Sequence, residues 1–356
     1  MINYIKQWYN RKFSDPNAVT LFLLLVFTVA IIVFFGSLMA PILIAVALAY
    51  LLDWPVMRFM SIGMSRLAAT IVTFTLFIAL AVVVFFTLIP LVWQQSTTLI
   101  TELPDMVTNL QVWLHKLPEL FPTIVDQNQI NELMQGLKRR VVGMGEQLLT
   151  LSLNSLVNVV TIMVYLIVVP LLVFFMLKDR DELMSHFSRL LPSNRQLISQ
   201  VGQEMNLQIM NYIRGKAIEV VVVTVVTFFT FFLFELRYAL LLSILVGLSV
   251  LIPYIGAAVV TLPVLLVALF QFGPSATFAW IAVAYLIIQA LDGNLLVPIL
   301  FSEAVSLNPV YIIAAVVIFG GIWGFWGVFF AIPLASLVKA VLTAWSSGIE
   351  EQRASP

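Results

Sequence analysis

Cysteine is absent from the 356 residues and histidine occurs only at His115 and His186. The first absence excludes disulfides, thiolate metal sites and a cysteine nucleophile. The two histidines lie far apart in polar segments and form no His-Glu-x-x-His zinc motif. Gly215–Lys216 is followed by Ala217, so no phosphate-binding Gly-Lys-Ser/Thr loop is present, and no Gly-x-Ser-x-Gly elbow occurs. These gaps predict no catalytic residues, no cofactor, no bound metal and no ATP hydrolysis by this chain. Charge is scarce as well. Only 10% of residues are charged, against about 25% in soluble domains. Lys+Arg and Asp+Glu cancel at 18 each, which gives no electrostatic footprint for nucleic acid.

What fills the chain instead is apolar side chain, at 62%. No water-soluble fold of this size hides that much. The expectation is an all-α polytopic membrane protein whose first partner is the lipid bilayer. Residues 1–17 carry Lys6, Arg11 and Lys12 like the start of a signal peptide. The apolar run that follows is far longer than the roughly 7–15 residues of a cleavable core, and reads as the first span.

Charge-free runs mark the spans, since a charge at the bilayer centre costs about 2.5–3.5 kcal/mol on insertion scales. They are 18–52, 67–101, 147–177, 220–234, 238–291 and 304–338. About 20 helical residues already cross a hydrocarbon core of about 30 Å, so several of these runs must break, re-enter or cross twice. Predicted breaks fall at Gly36 and Pro41, at Pro253 and Gly256, at 271–275, and among Gly320, Gly321, Gly324 and Gly327. Counting each segment gives about eight transmembrane helices. Placing both termini in the cytoplasm puts 13 of the 18 Lys and Arg residues inside and 5 outside, as the positive-inside rule requires. Within this single domain of residues 1–356, residues 102–146 are expected as an extracytoplasmic amphipathic helical insertion. Residues 179–213 are expected as a cytoplasmic amphipathic segment, within which a helix starts at the Pro192–Ser193 and Gln196 cap signal.

Polar groups at membrane depth are functional candidates, because each needs a partner or a water-filled path. Gln289, Asp292, Gly293 and Asn294, with Pro298 close behind, predict local unwinding that frees carbonyls beside a carboxylate, suited to a cation, a proton or a hydroxylated solute. The plainer alternative has Asp292 capping a helix or pairing with Arg237. Pro253, Tyr254 and Gly256 form a second candidate break with a phenol beside it; a ligand-free kink is the alternative. Glu219 stands three residues after Lys216, a spacing for an anchoring ion pair or a protonatable gate. The charged run 178–182 reads first as a solvated boundary that fixes helix depth. Gly320-x-x-x-Gly324, continued to Gly327, supplies a close-packing face or a hinge.

Five stretches then carry a family likeness over nearly the whole chain: 48–55 (Leu-Ala-Tyr-Leu-Leu-Asp-Trp-Pro), 174–179 (Phe-Phe-Met-Leu-Lys-Asp), 212–216 (Tyr-Ile-Arg-Gly-Lys), 252–256 (Ile-Pro-Tyr-Ile-Gly) and 289–298. Through them the sequence resembles the AI-2E (autoinducer-2 exporter) family of bacterial membrane proteins, and within it the PerM-type permeases. The resemblance implies eight helices in a bacterial inner membrane, homo-oligomeric assembly with a pentamer as one candidate, and secondary export of a small polar solute such as an autoinducer-2-like signal. Some members are regarded as sodium (lithium)/proton antiporters, so a monovalent cation is the alternative cargo. A non-transporting scaffold is a third reading. The chain departs from the common pattern with Asp292 in place of Glu, which keeps the carboxylate, and with Asn308 in place of His before Pro309, which removes a titratable group.

Overall fold

The protein is described by a computed structural model over residues 16–114, 131–132, 135–136, 139, 143, 156–189, 196–301 and 308–340. Its regular structure there is helical throughout. The elements are α1 (Pro16–Ser61), α2 (Arg66–Leu114), α3 (Leu156–Lys178), α4 (Arg180–Arg189), α5 (Gln196–Leu233), α6 (Ala239–Ser249), α7 (Ile255–Phe272) and α8 (Ala276–Leu291). A π-turn (Asp292–Leu296) joins α8 to the short α9 (Val297–Phe301), and α10 (Pro309–Trp323), α11 (Phe325–Phe329) and α12 (Ala331–Ala340) follow. Six stretches are long and apolar enough to cross a membrane, and three shorter apolar helices, α6, α10 and α12, accompany them. The chain is a polytopic helical membrane protein.

One expected break is absent. α1 runs 46 residues without interruption through Pro41 and Pro55, so the interruption expected at Gly36 and Pro41 is corrected to a continuous helix. A proline removes only one backbone hydrogen bond, and in a membrane helix packed neighbours can hold the segment straight enough to continue. Here Ala40, Ala45, Leu52 and Val56 of α1 are buried, most of them in a cluster with Val169, Val173 and Leu177 of α3 and Ala69 of α2. α2 likewise passes Thr101 and Pro104 without a break, so 102–114 belongs to the same helix, and its Met106 and Val107 are buried. The rest of the 102–146 stretch lies almost wholly outside the described residues. In the 179–213 stretch, α4 is followed from Gln196 by α5, which proceeds unbroken to Leu233. Pro192 and Ser193 lie outside the described residues.

Other breaks occur where turn chemistry dictates them. α7 stops at Phe272, Gly273 takes φ 60°, and Ser275 caps α8 by accepting from the Phe278 N–H. α10 stops at Gly324, whose φ of 61° suits glycine. The hairpin into α11 closes on Gly327, where a Cβ would stand 1.8 Å from the Phe319 carbonyl oxygen. Gly320 meets Val328 in the same contact, whereas nothing crowds Gly321. The glycine series therefore joins two consecutive helices to each other.

Charges stitch the two ends of the bundle. At one end the Arg66 guanidinium donates to the Leu177 carbonyl at 3.1 Å and to Asp181 at 2.6 Å, while Arg180 bridges to Asp53 at 3.1 Å. At the other, Arg237 pairs with Glu102 at 3.1 Å, and Tyr238 donates its hydroxyl to the same carboxylate at 2.6 Å. Burial and that neighbouring carboxylate push the Tyr238 hydroxyl well above its ordinary pKa. Arg237 is thus committed to Glu102, which removes the alternative in which it neutralises Asp292.

Candidate functional site

The second core gathers the last turns of α2 with α5, α6, α7 and α8 around Phe231, Leu242, Val264, Ile281 and Tyr285. A cavity of about 370 Å³ opens beside it, lined by Lys216, Glu219, Ile252, Pro253, Tyr254, Gln289 and Asp292, with Phe301, Pro309, Ile312 and Ile332 closing it. Lys216, Glu219, Pro253, Tyr254, Gln289 and Asp292, all singled out in the sequence, therefore meet in one place although they come from three separate stretches, and Gly293 lines it with them.

The break between α6 and α7 follows from Pro253. In a continuing helix the N–H of residue 254 would reach the Val250 carbonyl. Pro253 has no N–H to carry the ladder on, and Tyr254 turns to φ 62° and ψ −47°. Such backbone costs about 1–3 kcal/mol and gathers at binding sites. Gly256 makes the turn possible: its N–H returns to the Ile252 carbonyl at 3.0 Å, and a Cβ there would sit 1.8 Å from the Ser249 carbonyl oxygen. Gly256 thus supports the turn from beneath and does not line the cavity.

The freed Val250 carbonyl is taken by Lys216, whose Nζ donates to it at 2.8 Å. The same ammonium stands 2.8 Å from Glu219 Oε2 and 5.3 Å from the Phe301 ring centre. Lys216 and Glu219 are 4% and 1% exposed, values seen for charged residues almost only when they are paired. The Glu219 oxygen is close enough for a strong Coulombic contact but makes no aligned hydrogen bond. Gly215 lets the Phe301 ring lie against α5, since a Cβ would stand 2.5 Å from it.

At α8 the sequence around Asp292 does not unwind; it forms a π-turn closed by the Val297 N–H on the Asp292 carbonyl. One extra residue per turn re-aims the side chains that follow, and such bulges are frequent at functional sites. Asp292 Oδ1 is buried and has no hydrogen-bond partner. Gln289 donates its amide to the Tyr285 hydroxyl at 2.7 Å, and Tyr285 in turn meets Thr261 at 2.9 Å, a polar chain leading from the cavity into the core. Asn294 points elsewhere, donating to the Ala290 carbonyl at 2.8 Å on the exposed side. Asn308 caps α10 by accepting from the Val310 N–H, a role that a neutral amide fills, with Pro309 at the cavity wall. Pro41, Gly320, Gly321, Gly324 and Gly327 lie outside the lining. No group of three or more metal-ligating side chains occurs among the described residues.

The sequence reading passed over two polar groups. The Val250 carbonyl carries no side-chain signal, although Pro253 three residues on is a sufficient cue for a freed acceptor. Asp53, just past the end of the charge-free run 18–52, is a carboxylate only 7% exposed, and it lies away from this cavity.

The AI-2E family transporter profile matches residues 21–347. A protein of Escherichia coli (strain K12) named "Putative permease PerM" is 52% identical over 348 residues, covering 98% of this chain and 99% of that protein. The Bacillus subtilis (strain 168) "Putative transport protein YueF" is 29% identical over 315 residues, 87% of this chain and 84% of that protein. The Synechocystis "Putative transport protein sll0063" is 26% identical over 357 residues, 96% and 88% of the two chains.

Proposed function

This chain belongs to the AI-2E transporter family, and from that premise we propose that it is a secondary transporter that moves a small polar solute, such as an autoinducer-2-like signal, through the cavity around Asp292. The family is one of transporters and not of enzymes. The observation that carries the reading is the unsatisfied Asp292 Oδ1, buried in a cavity that also holds the Lys216–Glu219 pair, Tyr254 and Gln289. A buried acceptor without a donor costs about 1–3 kcal/mol, and more when charged. A hydroxyl of a bound solute relieves that cost, so binding is strongest where the carboxylate is.

A monovalent cation is the less favoured cargo. The carbonyl released by the helix break is the natural cation ligand, and the Lys216 ammonium already occupies it. A sodium ion entering there must displace a tethered charge of the same sign. The neighbouring hydroxyl and amide groups suit a hydroxylated molecule that both donates and accepts.

The same reading places the protein in a bacterial inner membrane with both termini cytoplasmic, so that the Arg66, Lys178 and Arg180 end faces inward. Homo-oligomeric assembly belongs to it too: the most apolar stretch of α2 buries none of its residues within the chain, leaving that side for lipid or another copy.

The test is export of autoinducer-2 from proteoliposomes by the wild type and Asp292→Asn. Asn keeps the size of the side chain and removes its charge. Flux is expected to fall to the rate of protein-free vesicles while size-exclusion behaviour and helical content stay unchanged. Undiminished flux through Asp292→Asn removes the assignment.

A further inference from the structure

A second cavity, of about 250 Å³, lies where α1 meets the α3–α4 junction and α5. Its polar lining is Tyr50, Asp53, Arg180 and Asn206; the rest is apolar, with Met176 and Met184 prominent. Tyr50 donates its hydroxyl to Asn206 Oδ1 at 2.7 Å, and Arg180 Nη1 reaches both Asp53 oxygens at 3.2 and 3.1 Å. The four groups come from three different elements, so their convergence is a property of the fold and not of local sequence.

This lining repeats part of the chemistry of the Asp292 cavity, which holds in addition the unpaired Asp292 carboxylate. Each holds one carboxylate–cation pair, one carboxamide and one tyrosine: Glu219–Lys216 with Gln289 and Tyr254 in the first, Asp53–Arg180 with Asn206 and Tyr50 in the second. The two are joined by α5. Asn206 and Lys216 are ten residues apart on it, about 15 Å along its axis, half the thickness of a hydrocarbon core. Between them stands an aromatic cluster. Tyr212 is fully buried, lies 5.8 Å from the Phe301 ring and 6.0 Å from Phe329, and donates its hydroxyl to the Phe329 carbonyl at 2.8 Å. Tyr50 packs on one side of this cluster, and Phe301 lines the Asp292 cavity on the other.

Only one nitrogen of Arg180 is engaged by Asp53, and the Arg180 side chain is 35% exposed against 10% for that of Asp53. The Arg180 guanidinium therefore has donors to spare. We propose that this cavity is a second binding station, in series with the Asp292 cavity and separated from it by the Tyr212–Phe301–Phe329 cluster, for the same class of small hydroxylated solute. The proposal rests on the transport reading above. Its hydroxyls accept from Arg180 and Asn206 and donate to Asp53, so that the solute shares the ion pair without having to break it.

The absence of cysteine makes a background-free test possible. Ala49 lines the second cavity and Ala257 the first. Ala49→Cys and Ala257→Cys are made separately in the full chain, checked by size-exclusion chromatography, and labelled with N-ethylmaleimide with and without autoinducer-2. Autoinducer-2 is expected to slow labelling at both positions. Added Asp292→Asn is expected to abolish protection at 257 and leave it at 49. Added Asp53→Asn raises the concentration for half-protection at 49 at least about tenfold, the worth of a hydrogen bond to a charged group. Tyr50→Phe, which keeps both charges and so guards against a folding defect, raises it about fivefold. Protection at 257 without protection at 49 overturns the second station and leaves the Asp292 reading standing. Protection at 49 alone keeps the station as a binding site and removes the Asp292 reading. Protection at neither position removes both.

Discussion

Lys216→Met probes the buried pair directly. Methionine fills much the same volume with no charge and leaves Glu219, 1% exposed, without its counterion and the Val250 carbonyl without its donor. Removing one partner of a buried pair costs about 3–5 kcal/mol, because the remaining charge stays desolvated. The lost bond to Val250 adds about 1–3 kcal/mol for an unsatisfied buried acceptor. A destabilisation of about 4 kcal/mol or more is expected in mixed-micelle unfolding by denaturing detergent. Glu219→Met alone leaves Lys216 buried but still bonded to Val250, so its cost should be lower, near the bottom of the same range. The double variant leaves only the carbonyl unsatisfied. Replacing a buried pair by packed apolar side chains is often neutral or stabilising, so it should recover most of the loss, with a coupling energy of at least about 2 kcal/mol in the cycle. Solute flux should not recover with stability, since the cavity has then lost both charges. A cost below about 1 kcal/mol for Lys216→Met, the range of solvent-exposed pairs, refutes the buried pairing. A double variant whose cost is the sum of the singles refutes the coupling.

Gly256→Ala places a Cβ 1.8 Å from backbone that cannot move aside; it should lower the unfolding midpoint and reduce flux together, and a variant with wild-type values for both would show that the α6–α7 turn is not fixed there. At the opposite end, the folded-state pKa of Tyr238 is raised by burial and by Glu102. The stability contributed by that hydroxyl is thus complete below the unfolded value of about 10 and is lost as pH rises through the folded value. The thermal midpoint in detergent should fall more steeply above about pH 10 in wild type than in Tyr238→Phe, and parallel curves would contradict the assignment.

What the sequence disclosed depended on whether a property was local. Long apolar runs and isolated charges exposed the membrane class, and Pro253, Tyr254 and Gly256 exposed their break, because a missing N–H and a crowded turn are properties of a few consecutive residues. Pro41 misled for the same reason. Its local rule favours interruption, and the packing of α1 on α2 and α3, which overrules it, is not a local property. The assembly of Lys216, Glu219, Pro253, Tyr254, Gln289 and Asp292 into one cavity depends on how α5, the α6–α7 turn and the end of α8 pack together. Each residue was visible as an anomaly; their shared location was not. Asn294, as polar as its neighbours in the run, turns outward because the π-turn changes which side chains face in.

The helix break and the tethered ammonium together explain why the free acceptor belongs to the solute. A broken membrane helix must satisfy the carbonyl that it releases, since an unpaired group in a dry interior is costly. Had the chain left that carbonyl open, a cation would be its natural partner. Lys216 satisfies it permanently and Glu219 balances the ammonium, so this part of the cavity is neutral without cargo. Asp292 stands outside that ion pair, and its Oδ1 has no hydrogen-bond partner. In the Asp292 cavity this unfilled position is what a passing molecule gains, and a deep permanent well would not release it. An unmet acceptor beside a preset pair offers moderate binding that reverses when the site opens, and that is why Asp292→Asn, more than any change to Lys216 or Glu219, separates loss of transport from loss of fold.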